Sequence, residues 1–503
     1  MLRSNTPTVV MFLVYLAVMV VIGIVAWRRT KNFDDYIIGG RSLGPGVTAL
    51  SAGASDMSGW LMMGLPGAIF LSGVSEAWIA VGLLLGAYLN WRFVAGPLRV
   101  YTERTGNALT LPDFLTNRFD DRSRILRVFT ALVILVFFAI YCASGVVAGA
   151  RLFESVFGLS YGQAIFLGAS VTVLYTLIGG FLAVSWTDVA QGVMMMFALL
   201  LAPILVFMHT GGFEASVDLV RANDPLQLDW FRGGNLGVIG IVSLLGWALG
   251  YFGQPHILVR FMAAEGVHTI PTARRIAMAW MTLCMLGAMS VGFFGIAYFE
   301  AHPDQAAPVL QNSERVFITL VELLFNPWVA GIILAAILAA VMSTLSSQLL
   351  VCSSVLSEDL YRGFFRNQAS QGELVWVGRM SVLLVALVAI WMARDPDSRV
   401  LGLVSYAWAG FGSAFGPVLL LALFWKRMTR NGAIAGMLTG AAMVIFWKEI
   451  MVNRMGSELY EIIPGFLSAG AAIVGVSLVG RAPSAAVQAT HAQVQLSLKE
   501  TGY

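Results

Sequence analysis

The chain has 503 residues, of which 58% are hydrophobic and only 12% are charged. Soluble domains carry about 25% charged residues, so the composition excludes an ordinary soluble protein and predicts an integral membrane protein. The formal net charge of +3 gives no indication of a nucleic-acid partner. The three cysteines, Cys142, Cys284 and Cys352, lie in apolar stretches without CxxC spacing, which argues against a disulfide framework and a zinc site.

Runs of about 18 or more mostly apolar residues predict an all-α protein with about 13 transmembrane helices. In chain order they are expected at 8–27, 46–71, 76–97, 128–150, 162–183, 189–208, 237–255, 276–298, 327–350, 380–393, 400–424, 432–450 and 462–480. Positive charges follow the first run rather than precede it, so we interpret it as a retained helix and not as a cleaved signal peptide.

The distribution of basic residues predicts the orientation of these helices. Of the 31 Lys and Arg residues, 22 lie in one set of alternate connections, and the positive-inside rule assigns that set to the cytoplasm. The N-terminus is therefore expected outside and the C-terminus in the cytoplasm, which agrees with an odd number of spans.

Two predicted spans differ from the others because they are rich in small residues and proline. The second span (46–71) contains Gly53, Asp56, Gly59, Gly64 and Pro66, and the seventh span (237–255) contains Gly246, Gly250, Gly253 and Pro255. Each opens a set of five spans, and an odd number of spans inverts the second set relative to the first. Interrupted helices at matching positions of an inverted repeat are the best sequence pointer to the substrate site of a secondary transporter. For either span alone, close helix packing through small residues is an equally good explanation.

Asp56 is a lone carboxylate inside the second span. An ionised Asp near the middle of a membrane helix costs about 2.5–3.5 kcal/mol on insertion scales, so such a residue marks an ion or substrate path. The ninth span carries adjacent hydroxyls at Ser343 and Thr344. A hard cation prefers hydroxyl and carbonyl oxygens, and an unwound stretch near Ala54 and Met57 would complete a cation site. Taken alone, the hydroxyl pair is more often a helix-packing feature.

Aromatic residues are expected at a similar depth. They are Trp60, Tyr141, Trp247 and Tyr251. Trp247 and Tyr251 are four residues apart, so they share one helix face next to Pro255, which suits a small, partly apolar solute.

Two charged residues are candidates for gating. Arg41 precedes the interrupted second span, and it is either a positive-inside anchor or a gate on the cytoplasmic side. Asp188 lies at the inner edge of two spans, where a gating role and a helix-capping role fit equally well.

Motifs for catalysis are absent from the sequence. It contains no GxxxxGK[ST], HExxH or GxSxG motif, and its five histidines are scattered. Nucleotide hydrolysis and metal catalysis therefore lack support, and we predict a protein that is not an enzyme and that draws its energy from an ion gradient.

Five long segments resemble a known family. They are Phe33–Gly44 (FDDYIIGGRSLG), Ala49–Trp60 (ALSAGASDMSGW), Gly246–Leu258 (GWALGYFGQPHIL), Ala336–Ser346 (AILAAVMSTLS) and Leu401–Gly412 (LGLVSYAWAGFG). In these motifs the chain resembles the sodium/solute symporter family, and the resemblance runs from about Thr8 to Pro483. Departures are confined to the outer connections and the C-terminal tail.

The resemblance implies a LeuT-like core of five plus five inverted helices, in which the first helix of each repeat is broken, with one extra helix before and two after. The chain would then divide into the extra helix and first loop (1–45), repeat one (46–208), an outer loop (209–236), repeat two (237–424), two C-terminal helices (425–480) and a cytoplasmic tail (481–503). The implied activity is uptake of L-proline with Na+ across the bacterial cytoplasmic (inner) membrane by alternating access. The lipid bilayer is the expected surrounding, a monomer is the expected unit, and no cofactor besides the coupling Na+ is implied.

The resemblance also implies roles for individual residues. The sodium site would use the carbonyls of Ala54, Met57 and Ala340 and the hydroxyls of Ser343 and Thr344, with Asp56 needed for Na+ binding or coupling. The substrate site would contain Ser58, Gly59, Trp60, Tyr141, Trp247, Tyr251 and Pro255, and Arg41 would affect coupling from the inner side.

Three alternatives stay open at the level of sequence. The first is a symporter of the same fold for another carboxylate, a sugar or a vitamin. The second is a membrane sensor, which would need a signalling domain, and the tail after Arg481 is expected to be too short for one. The third is a channel, against which the matched interrupted helices argue, because they favour gating around an occluded site.

Overall fold

The computed structural model describes residues 6–29, 33–178 and 180–502. Within these residues the chain is helical, and a single isolated β-bridge joins Leu43 to Ala264. The prediction of an all-α protein is therefore confirmed.

Twenty-three α-helices follow one another along the described chain. The first seven are α1 (Thr6–Trp27), α2 (Phe33–Ile38), α3 (Pro45–Asp56), α4 (Leu65–Ser72), α5 (Ala77–Leu89), α6 (Ala95–Arg104) and α7 (Leu111–Arg118). The next seven are α8 (Ile125–Phe157), α9 (Tyr161–Ile178), α10 (Phe181–His209), α11 (Phe213–Asn223), α12 (Val238–Leu245), α13 (Trp247–Gly250) and α14 (Pro255–Ala263). The last nine are α15 (Ile270–Ala301), α16 (Ala307–Gln311), α17 (Val316–Leu324), α18 (Pro327–Ser354), α19 (Gln371–Met392), α20 (Val400–Phe424), α21 (Arg430–Phe446), α22 (Ile462–Val479) and α23 (Ala485–Glu500).

Short π-helical turns join or extend several of these helices. They lie at Trp60–Gly64, Asn90–Val94, Val355–Phe365 and Trp447–Val452. Helical turns run from Trp60 to Arg104, but Gly73 departs from helical geometry with φ 77° and ψ −158° between α4 and α5. This departure lies between the predicted spans 46–71 and 76–97. By length and composition, ten helices of the described chain could cross a membrane, or eleven if the bent pair Val238–Gly253 and Pro255–Ala263 is one span.

Both interrupted spans are interrupted in the structure, as the sequence predicts. α3 ends at Asp56, and the chain resumes helical geometry in the turn that begins at Trp60. The second break follows the 3-10 turn Tyr251–Gly253, and α14 begins at Pro255 with a bend of 45° from the preceding segment. Proline fits the first position of a helix because its missing N–H has no partner there in any case.

The centre of the molecule is formed by α18. Its side chains are buried almost without exception from Ala330 to Ser354. It packs against α1, α3, α8 and α10, while α20 packs against α8 and the α21–α22 pair. The hydroxyl-bearing segment of α18 therefore faces the first helix break from inside the protein.

The segment predicted as a tail (481–503) contains the docked helix α23. It buries Val487, His491, Val494 and Leu498, which recur at helical spacing, and it packs against α6. His491 Nδ1 lies 3.2 Å from the Tyr101 hydroxyl. Burial, with the nearby charges of Arg118 and Lys426, lowers the pKa of His491 to about 4, so the docked imidazole is neutral at pH 7.

The second break tolerates no side chain at Gly253. A Cβ there would lie 2.1 Å from the carbonyl oxygen of Phe411, a backbone atom of α20 that cannot rotate away. We expect Gly253→Ala to lower the free energy of unfolding by about 1–3 kcal/mol, the cost of overpacking. Thermal unfolding of the purified protein checks this, with Gly475→Ala as the control, because no atom lies within 4 Å of a Cβ at Gly475. Equal melting temperatures for the two variants would contradict the prediction.

Candidate functional site

The first helix break frees a backbone carbonyl in the middle of the molecule. After α3 ends, Met57 departs from helical geometry with φ −76° and ψ 78°. In a continuous helix the Ser58 N–H would donate to the Ala54 carbonyl. Here it donates to the Asp56 carbonyl at 2.9 Å. The Ala54 carbonyl is therefore left for partners from another helix.

The helix α18 supplies these partners. Ser343 Oγ donates to the Ala54 carbonyl at 2.8 Å, and Thr344 Oγ1 lies 3.4 Å from the same oxygen. Ser343 Oγ also lies 3.1 Å from the Ala340 carbonyl. The structure thus gathers these four predicted residues into one buried cluster of oxygen atoms, and Met57 is buried at the adjoining break. Carbonyl and hydroxyl oxygens are the ligands of hard cations, so this cluster could hold one.

Asp56 connects the first break to the second. Its carboxylate Oδ2 accepts a hydrogen bond from the Tyr251 hydroxyl at 2.5 Å, while Oδ1 has no partner among the described residues. Its backbone carbonyl accepts from Trp60 Nε1 at 3.0 Å and from the Tyr141 hydroxyl at 3.5 Å. The carboxylate is therefore oriented by the second break, whereas the hydroxyls of α18 bind the neighbouring carbonyl of Ala54.

Aromatic rings form a wall between the two breaks. The ring centroids of Trp60 and Trp247 are 6.4 Å apart, and Tyr251 meets Trp408 edge to face at 5.0 Å. Trp408 Nε1 donates to the Trp247 carbonyl at 2.8 Å, which fixes the wall to α20. Trp408 is missing from the predicted site, although it lies inside the motif Leu401–Gly412 that carries the family resemblance.

The small residues of the first break allow close packing. A Cβ at Gly59 would lie 2.5 Å from the Ala148 Cβ, so a larger residue would push this turn away from α8. Ser58 Oγ accepts from the Trp60 N–H at 3.3 Å. The predicted substrate residues Ser58, Gly59, Trp60, Tyr141, Trp247, Tyr251 and Pro255 all lie at the two breaks or on the facing part of α8, and all are buried.

Asp188 takes part in a buried charge network that the sequence analysis does not predict. Its Oδ2 lies 3.2 Å from Arg260 Nη2 and accepts from Ser51 Oγ at 2.8 Å. Arg260 also donates to Ser51 Oγ at 3.1 Å and to Ser347 Oγ at 2.5 Å. The side chains of Asp188 and Arg260 are fully buried, so the network ties α3, α10, α14 and α18 together. Asp188 does not cap α10, whose N-cap residue is Gly180.

The predicted end of the seventh span, at residue 255, is wrong. With that end, the prediction places Arg260 among the charges of a cytoplasmic loop. In the structure α14 continues to Ala263 and buries Arg260 completely. The paired carboxylate of Asp188 makes this burial possible, because an unpaired charge would carry a large desolvation cost.

Hydrogen bonds from Arg41 connect the loop before α3 to the end of α14. Its guanidinium donates to the Met262 carbonyl at 2.5 Å, to the Ala108 carbonyl at 2.8 Å and to Asn107 Oδ1 at 2.9 Å. Burial, with the charge of Arg99, lowers the pKa of Arg41 to about 10, so the side chain stays cationic at neutral pH. These contacts go beyond those of a positive-inside anchor.

Two cavities flank the breaks and differ in size. The cavity on the Trp247 side has a volume of about 440 Å³ and also touches Gly64, Glu314, Leu401 and Ser405. The cavity on the Arg260 side, which touches Pro255 and Phe181, has a volume of about 20 Å³. The larger of the two cavities is therefore the one that reaches the aromatic wall at Trp247.

The comparisons with known proteins agree with this architecture. A model of the sodium:solute symporter family matches residues 36–440, and the chain belongs to this family. The chain is 64% identical over 489 residues to the sodium/proline symporter of Escherichia coli (strain K12), covering 97% of this chain and 96% of the relative. It is 54% identical over 469 residues to the high-affinity proline transporter of Bacillus subtilis (strain 168). That match covers 93% of this chain and 97% of the relative.

A solved structure shares the fold. It is the substrate-bound, outward-open state of a Na+-coupled sialic acid symporter, with a TM-score of 0.80. The match covers 95% of this chain and 99% of that chain at 20% identity.

The buried ion pair predicts a non-additive effect on stability. Arg260→Met leaves Asp188 charged and unpaired in the interior, so we expect the free energy of unfolding to fall by about 3–5 kcal/mol. Adding Asp188→Asn to that variant removes the unpaired charge and should restore most of the loss. Chemical unfolding of the single and double variants measures this, and a double variant less stable than either single variant would contradict it.

Proposed function

We propose that this protein is a transporter that takes up L-proline into the bacterial cytoplasm together with Na+, by alternating access in the cytoplasmic (inner) membrane. The observation that carries the proposal is the oxygen cluster in which the Ala54 carbonyl meets Ser343 and Thr344 at a helix break. The sodium/proline symporters among its relatives supply the identity of ion and solute.

The sodium site would consist of three carbonyls and two hydroxyls. The carbonyls are those of Ala54, Met57 and Ala340, and the hydroxyls are those of Ser343 and Thr344. Five oxygen atoms without a full carboxylate ligand suit a monovalent hard cation. Asp56, which directly precedes Met57, contributes its negative charge. Its Oδ1 atom has no hydrogen-bond partner among the described residues.

The substrate site would lie between the two breaks. Trp60, Trp247 and Tyr251 offer apolar surface to the pyrrolidine ring of proline, and Tyr141 and Pro255 close the side towards α8 and α14. Ser58 and Gly59 bring the backbone of the first break close to the solute. Apolar walls with few polar groups are the usual form of a small-molecule site.

Alternating access would use the unequal cavities on the two sides of the site. The larger cavity beside Trp247 is the outer entrance, and the smaller one beside Arg260 lies towards the cytoplasm. Arg41 and the Asp188–Arg260 pair hold the cytoplasmic side closed, and inward opening requires that these contacts separate. The proposal keeps the 13 spans, the outer N-terminus and the cytoplasmic C-terminus that the sequence predicts. Both breaks belong to one chain, which supports a monomer as the transporting unit.

One coupled ion suffices energetically. A monovalent cation that crosses about 100 mV releases about 2.3 kcal/mol, before its concentration gradient is added. A hundredfold accumulation of a zwitterion costs about 2.7 kcal/mol, at about 1.4 kcal/mol per tenfold.

Uptake of labelled proline into proteoliposomes tests the proposal. We expect uptake to require an inward Na+ gradient and to fall to the level of empty liposomes in Asp56→Asn, because that change removes the charge next to the ion. The control is Asp218→Asn, since Asp218 is an exposed residue of α11. Wild-type uptake that does not depend on Na+ would refute the function, and full Na+-dependent uptake by Asp56→Asn would refute the role of Asp56.

The hydroxyl pair predicts a specific change in Na+ dependence. Ser343→Ala removes one ligand, and a hydrogen bond or ligand to a charged group contributes about 1.5–3 kcal/mol. We therefore expect the half-saturating Na+ concentration to rise about tenfold or more, while the maximal rate at high Na+ is largely kept. Ser354→Ala is the matched control on the same helix, because Ser354 Oγ donates to the Leu350 carbonyl, away from the break. Identical Na+ curves for both variants would contradict the assignment.

A further inference from the structure

His256 lies in the second break with an unusual lack of hydrogen bonds. It is the second residue of α14, directly after Pro255, and its side chain is fully buried. Neither ring nitrogen has a hydrogen-bond partner among the described residues. A neutral imidazole offers one donor and one acceptor, and leaving both unpaired in the interior is costly. Such a group calls for an explanation in terms of function.

The ring of His256 is directed at the substrate-facing helix α8. It meets the Tyr141 ring edge to face, with centroids 5.8 Å apart, and it lies 5.6 Å from the Phe138 ring. The Arg260 guanidinium nearby donates to the backbone carbonyl of His256 and leaves the ring free. The imidazole therefore borders the site on its Pro255 side.

Four other polar donors near the site are already engaged. The hydroxyls of Tyr141 and Tyr251 and the indole of Trp60 all donate to oxygen atoms of Asp56. Trp408 donates to a backbone carbonyl of the second break. A solute with a carboxylate needs donors, and the first turn of α14 adds the positive end of a helix dipole at the same place. The ring N–H of His256 is a buried donor that has no acceptor among the described residues.

We propose that the His256 imidazole N–H binds the carboxylate of the amino-acid substrate, so that His256 determines specificity for a free carboxylate. The proposal rests on the proposed function as a proline transporter. In this arrangement the acceptor-rich first break and Asp56 face the ammonium end of the zwitterion, and His256 faces its opposite end.

The experiment compares proline with L-prolinol, in which a CH2OH group replaces the carboxylate. Both compounds compete against labelled proline in wild type, His256→Phe and His256→Gln at saturating Na+. We expect His256→Phe to weaken proline binding at least tenfold and prolinol binding far less, so the ratio of the prolinol inhibition constant to the proline inhibition constant falls severalfold. His256→Gln keeps an N–H donor and should restore part of the ratio. His209→Phe, which changes an exposed histidine, should leave it unchanged.

Two outcomes would overturn the proposal. One is an unchanged ratio in His256→Phe, which includes an equal loss of affinity for both compounds. The other is a His256→Gln variant that behaves like His256→Phe. If His256→Phe does not accumulate in the membrane, His256→Gln and His256→Asn decide. Both keep an N–H donor but move it from its native position, so the ratio should fall below the wild-type ratio in both variants, and an unchanged ratio in either would overturn the proposal. A wild type without Na+-dependent proline uptake refutes the proposed function itself, whereas normal wild-type uptake with an unchanged ratio refutes only the role of His256.

Discussion

The hydrogen bond between the Asp56 carboxylate and the Tyr251 hydroxyl is the interaction on which the site depends. Each helix break exposes backbone groups that the hydrocarbon interior cannot satisfy, so the breaks must be stabilised by protein contacts. At 2.5 Å this bond joins the last residue of α3 to the 3-10 turn before α14. It brings the two breaks together, and the aromatic wall and the oxygen cluster are arranged around it.

The same pairs of helices meet again on the Arg260 side. Ser51 of α3 and Arg260 of α14 both donate to Asp188, and Arg260 also donates to Ser347. Arg41 binds the last turn of α14. The two interrupted spans therefore take part both in the candidate site and in the contacts on the Arg260 side. In the proposed transport cycle, an ion or solute that alters the distance between the breaks also alters these contacts, and this would couple the two solutes.

Much of this arrangement could be predicted from the sequence, because glycine and proline mark helix breaks and a lone Asp56 in an apolar run marks a polar site. The contact of Ala54 with Ser343 follows from matching two motifs, although the residues are 289 positions apart. Arg260 could not be predicted as buried, since a basic residue after an apolar run is indistinguishable from a loop charge until its partner Asp188 is located. The docking of α23 likewise depends on a surface that only the folded chain provides.

The most direct test of the link between the two breaks is a double-mutant cycle on Na+-induced thermal stabilisation. Purified wild type, Asp56→Asn, Tyr251→Phe and the double variant are heated with and without Na+, which requires no transport. The account predicts that Tyr251→Phe loses Na+ stabilisation in the wild-type background and loses almost nothing further when Asp56 is already Asn. The coupling energy should then be about 1.5 kcal/mol or more, as expected for a hydrogen bond to a charged group. Strictly additive effects of the two substitutions would contradict it.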